Sequence, residues 1–311
     1  MLSVFNTKTR YFNYIFFLRS LVVFSILDCI FQISLGGFVR VTSSGLGCPD
    51  WPLCYGQIIP PMNYHTLIEW GHRTSGAILG LSILLIVVVS IVAQRDNLLL
   101  IILSISTLIL VSIVGGIGGA VVLTELEPSL RTLHLFLAQI IILLLGLCYI
   151  SINTHGSENI LKNIKIDTYS VLTGFAALSI IITLLSGSYA VWKGAGTVCS
   201  SWPLCTPGAI LPQSFLGWIH MTHRLFSIIS SLIGVLACYM IIRAKFNTLL
   251  SLLSASSLLI VLMQILLGAS NPWTKFQVWA RVAHLGASSV LWGLMATLFC
   301  LVLFEKFRAK E

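Results

Sequence analysis

Long apolar stretches dominate this chain, and short polar segments separate them. A bilayer-spanning helix needs about 20 consecutive apolar residues. Eight stretches meet that length, at 18–40, 69–93, 98–123, 130–152, 169–192, 216–242, 247–270 and 279–304. A transmembrane β-barrel would instead show alternating segments of about 10 residues, and the run from Leu81 to Val92 does not alternate. The pattern predicts an all-α polytopic membrane protein with eight transmembrane helices.

Composition agrees with a lipid environment. The chain is 57% hydrophobic and 9% charged, whereas an ordinary soluble domain is roughly 25% charged. Lys8 and Arg10 precede the first apolar stretch and Arg19 lies at its start, so the segment resembles a signal peptide. That stretch is too long, however, and lacks a small-residue cleavage site. We therefore expect a retained first helix.

Basic residues predict the orientation of the helices. With both termini in the cytoplasm, eleven of the 18 Lys and Arg residues fall on the inner side, as the positive-inside rule requires. The net charge of +8 is then explained by topology and lipid contact. The chain lacks a patterned basic and aromatic patch, so we expect no nucleic-acid partner. The eleven residues are Lys8, Arg10, Arg19, Arg95, Lys162, Lys165, Arg243, Lys245, Lys306, Arg308 and Lys310.

The chain repeats a set of scarce residues about 150 positions apart. Identical Cys, Trp, Pro, His and Arg residues recur with offsets of 150 or 151, and Gly118 is likewise echoed by Gly268. The repeat predicts two four-helix halves, 1–155 and 156–311, each with an equivalent site. The matched segments are Cys48–Cys54 with Cys199–Cys205, His72-Arg73 with His223-Arg224, and Arg131-x-x-His134 with Arg281-x-x-His284.

The repeated cysteines lie in the first and fifth connecting loops. The predicted orientation places both loops on the extracytoplasmic side, where disulfides are stable. We expect Cys48–Cys54 and Cys199–Cys205 bridges, which act either as staples of the Trp-Pro turns or, in one pair, as a redox-active dithiol. Zinc is disfavoured because a structural site needs four ligands.

The repeated histidines predict a haem protein. An ionisable residue inside a spanning helix is costly and points to function, and His72, His134, His223 and His284 lie on the second and fourth helices of the two halves. Facing helices can place two imidazoles on opposite sides of a flat cofactor, as in bis-histidine haem ligation. A copper or zinc ion would want a third protein ligand.

Arginines accompany every one of these histidines. Arg73 and Arg224 directly follow a histidine, whereas Arg131 and Arg281 precede one by three residues. Guanidinium groups pair bidentately with carboxylates such as haem propionates. The alternative is that these side chains extend from helix ends toward the membrane surface.

The two sites differ at one position. Glu69 lies one helical turn before His72, and His220 occupies the equivalent place in the second half. A buried glutamate can accept a proton or stabilise positive charge in a reaction. The first half is therefore the better candidate for chemistry and the second for a resident cofactor. Alternatively, Glu69 caps its helix or pairs with Arg73.

These motifs together resemble a known family. The chain is similar to haem A synthases from its first predicted helix to His284. The matching residues are Gly36-Gly37-x-Val39-Arg40-x-Thr42-x-Ser44-Gly45-Leu46-Gly47-Cys48-Pro49-Asp50-Trp51-Pro52-x-Cys54-x-Gly56, followed by Glu69-Trp70-x-His72-Arg73. The resemblance implies a cell-membrane enzyme that oxidises the C8 methyl group of haem O to a formyl group, giving haem A for terminal oxidases.

The resemblance also implies roles for the repeated residues. His223 and His284 would hold a haem b cofactor, and His72 and His134 would receive haem O. Glu69 would be the catalytic glutamate, and Cys48 with Cys54 would be the cysteine pair of the reactive half. The implied partners are haem O synthase and a terminal oxidase or its assembly factors. The resemblance is also compatible with a homo-oligomer.

Two other functions compete with an enzyme. A di-haem membrane electron carrier would show the same four histidines, and a haem transporter or chaperone would bind haem loosely. Glu69 argues against the carrier, because a carboxylate beside a saturated bis-histidine iron has no task. The unequal sites argue against simple transport.

Overall fold

The computed structural model describes residues 2–152 and 164–304, with side chains from residue 14 onward. These residues form eight long helices, each apolar enough to cross a membrane. The prediction of an all-α polytopic membrane protein is confirmed. The helices are α1 Leu2–Val41, α2 Tyr64–Ala93, α3 Leu98–Leu123, α4 Pro128–Ile152, α5 Thr168–Trp192, α6 Phe215–Ala244, α7 Thr248–Trp273 and α8 Val278–Leu303.

Some predictions fall on parts of the chain that the structure does not describe. Lys162, Lys306, Arg308 and Lys310, which support the orientation, lie outside the described residues, as do the side chains of Lys8 and Arg10. The predicted boundary between residues 155 and 156 also lies there. The division into two domains therefore stays a prediction.

Side-chain caps help determine where α2, α3, α6 and α7 begin, as Asp167 does for α5. Asn63 accepts a hydrogen bond from the backbone N–H of Thr66 at 3.0 Å, which starts α2 five residues before the apolar stretch. Asn97, Ser214 and Asn247 cap α3, α6 and α7 in the same way. Such a side chain satisfies an N–H group that has no partner within the helix. The early start of α2 places Glu69 inside the helix rather than at its end.

Helix contacts form a closed ring in each part of the chain. In residues 2–152 the ring runs α1–α2–α3–α4 and back to α1, and in residues 168–303 it runs α5–α6–α7–α8 and back to α5. Helices α2 and α4 therefore stand diagonally across the first ring, and α6 and α8 across the second. These four helices carry the repeated histidines.

Helices α1, α4, α5 and α8 join the two rings. At the centre of this interface, the amide of Gln139 on α4 donates to the hydroxyl of Ser289 on α8 at 2.9 Å. Trp292 donates from its indole N–H to the backbone carbonyl of Gln139 at 2.9 Å. Gln139 and Ser289 are fully buried, and residues 150 positions apart thus meet where the rings join.

Candidate functional site

The two cysteine loops have the same covalent frame. Cys48 is disulfide-bonded to Cys54 and Cys199 to Cys205, with Cα–Cα distances of 4.7 and 4.3 Å. All four cysteines are buried. Each loop lies at the end of its ring where the repeated histidines also lie, which we call the cysteine-loop end.

Asp50 organises the first loop. Its carboxylate accepts hydrogen bonds from the backbone N–H groups of Gly56 at 2.7 Å and Tyr55 at 2.6 Å. These bonds, with that of Gly56 the larger influence, hold the pKa of Asp50 below its usual value. The same loop places Trp51 against Gly119 of α3, where a Cβ would lie only 2.7 Å from the indole ring. The loop thus packs onto the helices of the first ring.

Arg73 fastens this loop to α2. Its guanidinium donates to the backbone carbonyls of Asp50 at 2.6 Å, Leu53 at 2.7 Å and Cys48 at 3.0 Å. A fourth bond goes from Nε to Glu69 at 3.1 Å. Because a guanidinium has five N–H donors, little capacity remains for another ligand. Propionate binding by Arg73 stays a prediction, and the structure gives the residue a second task.

Arg224 fastens the second loop in the same way. It donates to the backbone carbonyls of Pro203 at 2.8 Å and Leu204 at 2.9 Å. For Arg73 and Arg224 the sequence predicts propionate binding or extension toward the membrane surface, and contact with the loops is a further role. The repeated His-Arg motif therefore joins a histidine inside the helix to the loop above it.

Glu69 is a buried and paired carboxylate. It is 4% exposed, and its contact with Arg73 is the only ion pair among the described side chains. This pairing agrees with one of the alternatives from the sequence. It also explains how the charge is tolerated, since a buried charge needs a partner. In the second ring, His220 at the equivalent position instead contacts the backbone carbonyl of Ala195 through Nδ1 at 2.9 Å.

Glycines on neighbouring helices make room for the histidines of the first ring. A Cβ added to Gly36 on α1 would lie 3.1 Å from Cε1 of His72, and one added to Gly118 on α3 would lie 3.2 Å from Cε1 of His134. Each imidazole is thus seated against bare backbone. A larger residue at either position would push the ring inward.

The second ring has the same two seats. Gly187 on α5 would bring a Cβ to 2.9 Å from Cε1 of His223, and Gly268 on α7 would bring one to 3.3 Å from Cε1 of His284. The echo of Gly118 by Gly268 was visible in the sequence. The sequence prediction includes Gly36 only in the family motif and does not pair it with Gly187, although the two share the 151-residue offset and could have been matched by it.

The histidines of each ring form a pair across the bundle. His72 lies close enough to His134, and His223 to His284, for charges on the two imidazoles to influence each other. The Nδ1 atoms of His72, His134 and His284 are buried, with no hydrogen-bond partner among the described residues. These properties fit a flat ligand held between two imidazoles, because such a ligand binds ring nitrogen and fills the space between diagonal helices.

A third arginine joins Arg131 and Arg281. Arg40, in the last turn of α1, lies close enough to both for their charges to repel. Helices α1, α4 and α8 all contact one another, so the three arginines lie near the junction of the two rings. Buried nitrogen atoms of Arg40 and Arg131 have no hydrogen-bond partner within the described chain. This arginine cluster is a place where an anion would be stabilised.

The described residues contain no group of three or more His, Cys, Asp or Glu side chains that could hold a metal ion. Each ring therefore offers a metal two imidazoles and no third protein ligand. Haem supplies four of its iron's ligands itself, so two axial histidines complete the set.

Comparison with known proteins agrees with this geometry. The COX15-CtaA family, described as cytochrome oxidase assembly protein, matches residues 19–296. This chain belongs to that family. The match extends from α1 into α8 and includes all four histidines of the two pairs.

Individual relatives match along most of their length. Heme A synthase from Bacillus pumilus (strain SAFR-032) is 26% identical over 311 residues, covering 95% of this chain and 98% of the relative. Heme A synthase from Geobacillus kaustophilus (strain HTA426) is 29% identical over 290 residues, covering 89% of each. That from Geobacillus thermodenitrificans is 28% identical over 286 residues, covering 88% of each.

Proposed function

We propose that this membrane protein is an enzyme that converts haem O to haem A, oxidising the C8 methyl group to a formyl group. One observation carries the proposal: each ring has a pair of histidines packed against glycines of neighbouring helices, and a buried glutamate, Glu69, lies near only one of the two pairs. The family match and the relatives named heme A synthase support the same conclusion.

The two rings have different tasks in this proposal. His223 and His284 would hold a resident haem b, and His72 and His134 would receive the substrate haem O. The asymmetry between Glu69 and His220 supports this division, because only the first ring has a carboxylate near its histidines. The domains of the proposal are the predicted halves, 1–155 and 156–311.

The arginine cluster is the proposed binding place for propionates. Arg131 lies on a histidine-bearing helix of the first ring and Arg281 on one of the second, and Arg40 lies near both. Three cations without an acidic partner among the described residues are stabilised when carboxylates reach them. Arg73 and Arg224 contribute chiefly by holding the loops, and Arg73 retains a donor for a further contact.

When bound, the resident haem supplies one-electron redox chemistry that side chains lack. In this proposal Glu69 is the proton acceptor. Oxidation of a methyl group releases protons, and a buried carboxylate one helical turn from His72 can accept them. Arg73 holds the Oε1 atom of Glu69 at 3.1 Å and so fixes where the carboxylate stands. The Cys48–Cys54 disulfide shapes the loop from which Arg73 takes its carbonyl partners.

We further propose that both termini face the cytoplasm, which places the cysteine loops and the arginine cluster on the extracytoplasmic side. The basic residues of the sequence support this orientation. As partners we propose haem O synthase, which would supply the substrate, and a terminal oxidase or its assembly factors, which would take the product.

Identification of the bound haems tests the function. The protein would be purified from cells that also make haem O, and its haems extracted and separated by chromatography. We expect haem b together with haem O or haem A. Haem b alone, in two equivalents, would overturn the synthase assignment and favour a di-haem electron carrier.

A further inference from the structure

One of the four histidines has a hydrogen bond that fixes its ring. Nδ1 of His223 lies 2.9 Å from the hydroxyl oxygen of Ser186 on α5. That hydroxyl donates its own hydrogen to the backbone carbonyl of Thr183 at 2.7 Å. Since a serine hydroxyl has a single hydrogen, Ser186 offers His223 a lone pair. With Ser186 donating to Thr183, Nδ1 of His223 carries the proton, and Nε2 has the free electron pair that a metal needs.

The first ring lacks this bond. The residue 151 positions before Ser186 is Leu35, whose side chain neither donates nor accepts. His72, the counterpart of His223, accordingly has a buried Nδ1 with no partner in the described part of the chain. Nothing in the hydrogen bonding of the first ring selects one nitrogen of His72 as the protonated one.

The other two histidines do not differ in this way. His134 and His284 each point toward a backbone carbonyl of the preceding helix, those of Val114 and Gln264. Neither Nδ1 atom has a hydrogen-bond partner within the described residues. Val114 and Gln264 are 150 positions apart, so the surroundings of these two histidines follow the repeat. The contrast between the rings lies around His223 and His72, where Ser186 stands in place of Leu35 and the backbone carbonyl of Thr183 also approaches His223.

A bond of this kind changes how firmly a histidine holds a metal. An acceptor at the second ring nitrogen orients the imidazole and makes its ligating nitrogen more basic, and losing such a partner costs about 10–100-fold in metal affinity. Higher affinity retains a resident cofactor. For a substrate that must leave as product, the same affinity would slow release.

We propose that Ser186 is a positioning residue that retains haem in the second ring, and that Leu35 leaves the first ring free to exchange its haem. The inference rests on the proposed function, which assigns a resident haem to His223 and an exchanging one to His72. It adds the residues that set the two exchange rates apart.

Haem transfer to apomyoglobin tests Ser186. Protein purified from a host that makes haem b but no haem O would be mixed with excess apomyoglobin. The resident haem is identified as the absorbance lost in a His223→Ala variant. We expect Ser186→Ala to release that haem about 10–100-fold faster than the parent protein. Its low-spin electron paramagnetic resonance signal should shift as well, because the ligand becomes less basic.

Two variants make the result specific. Ser186→Thr keeps a hydroxyl and should restore slow release. Ser188→Ala removes a neighbouring hydroxyl that contacts Thr132 at 3.0 Å rather than a histidine, and should release haem at the parent rate. Equal release and equal spectra for Ser186→Ala and Ser188→Ala would overturn the inference.

The reciprocal change tests the first ring. Leu35→Ser gives the first ring, at the equivalent position, the residue that contacts His223 in the second ring, and we expect release of haem O loaded into the first ring to slow by about 10-fold or more. Unchanged release would remove Leu35 from the inference. Failure of the proposed function has a separate signature. If the parent protein makes no haem A but its Ser186→Ala variant releases haem faster than the parent does, the synthase assignment is refuted and the role of Ser186 stands.

Discussion

Replacement of Glu69 by glutamine separates chemistry from structure at the proposed reactive site. The change keeps the size and one oxygen acceptor of the side chain and removes its charge and its ability to take up a proton. Glu69 is 4% exposed and pairs with Arg73 at 3.1 Å. The replaced group therefore lies in a closed environment, where no bulk water can take over its role.

The structural cost of this change should be small. Arg73 makes three hydrogen bonds to loop carbonyls that do not involve Glu69, and the glutamine oxygen can still accept from Nε. Loss of one such charge-assisted interaction costs about 1.5–3 kcal/mol of stability. Loss of a general base costs about 100–10,000-fold in rate, or roughly 3–5 kcal/mol in the activation free energy. The catalytic effect should therefore exceed the structural one.

The assay measures haem A formed in cells that make haem O, together with the haem b that copurifies with the protein. We expect Glu69→Gln to retain haem b and to lose haem A formation. Glu127→Gln is the matched control, because Glu127 is an exposed carboxylate in the loop before α4, contacting Ser129 at 3.1 Å. Haem A formation by Glu69→Gln within about 10-fold of the control would refute a proton-transfer role.

Four further predictions test the site. Gly187→Ala should displace the His223 ring and lower haem b content about 10-fold, whereas Gly234→Ala, with nothing within 4 Å, should keep the parent absorbance spectrum. Arg40→Gln should weaken haem O binding, measured by titration, because one cation of the cluster is lost; unchanged affinity would exclude it from the propionate site. Arg73→Gln should lower the melting temperature, because three hydrogen bonds of about 1.5–3 kcal/mol each are disrupted. An unchanged melting temperature would argue against a role of Arg73 in holding the first loop on α2. Acidification below about pH 4 should speed reduction of the Cys48–Cys54 disulfide by a phosphine. The pKa of Asp50 is lowered in the folded loop, so its ionised carboxylate stabilises the loop above about pH 4, and this stabilisation is lost as the carboxylate is protonated. In Asp50→Asn this pH dependence should vanish.

The sequence determined the helices and the identity of the paired histidines. Spanning helices follow from the length of apolar runs, since lipid leaves backbone groups no partner outside the helix. The pairs were visible because Cys, Trp, Pro, His and Arg are scarce in this chain and recur at a fixed offset. Both patterns can be read along the chain without knowing which helices pack against each other.

The tertiary structure decided how those residues are used. The loop contacts of Arg73, the approach of Arg40 to Arg131 and Arg281, and the bond between Ser186 and His223 each join different segments of the chain. They depend on the rotation of each helix about its axis. Hydropathy specifies that rotation poorly, because the face toward lipid and the face toward a neighbouring helix are equally apolar. Packing of small residues and interhelical hydrogen bonds fixes the rotation, and only the folded chain shows it.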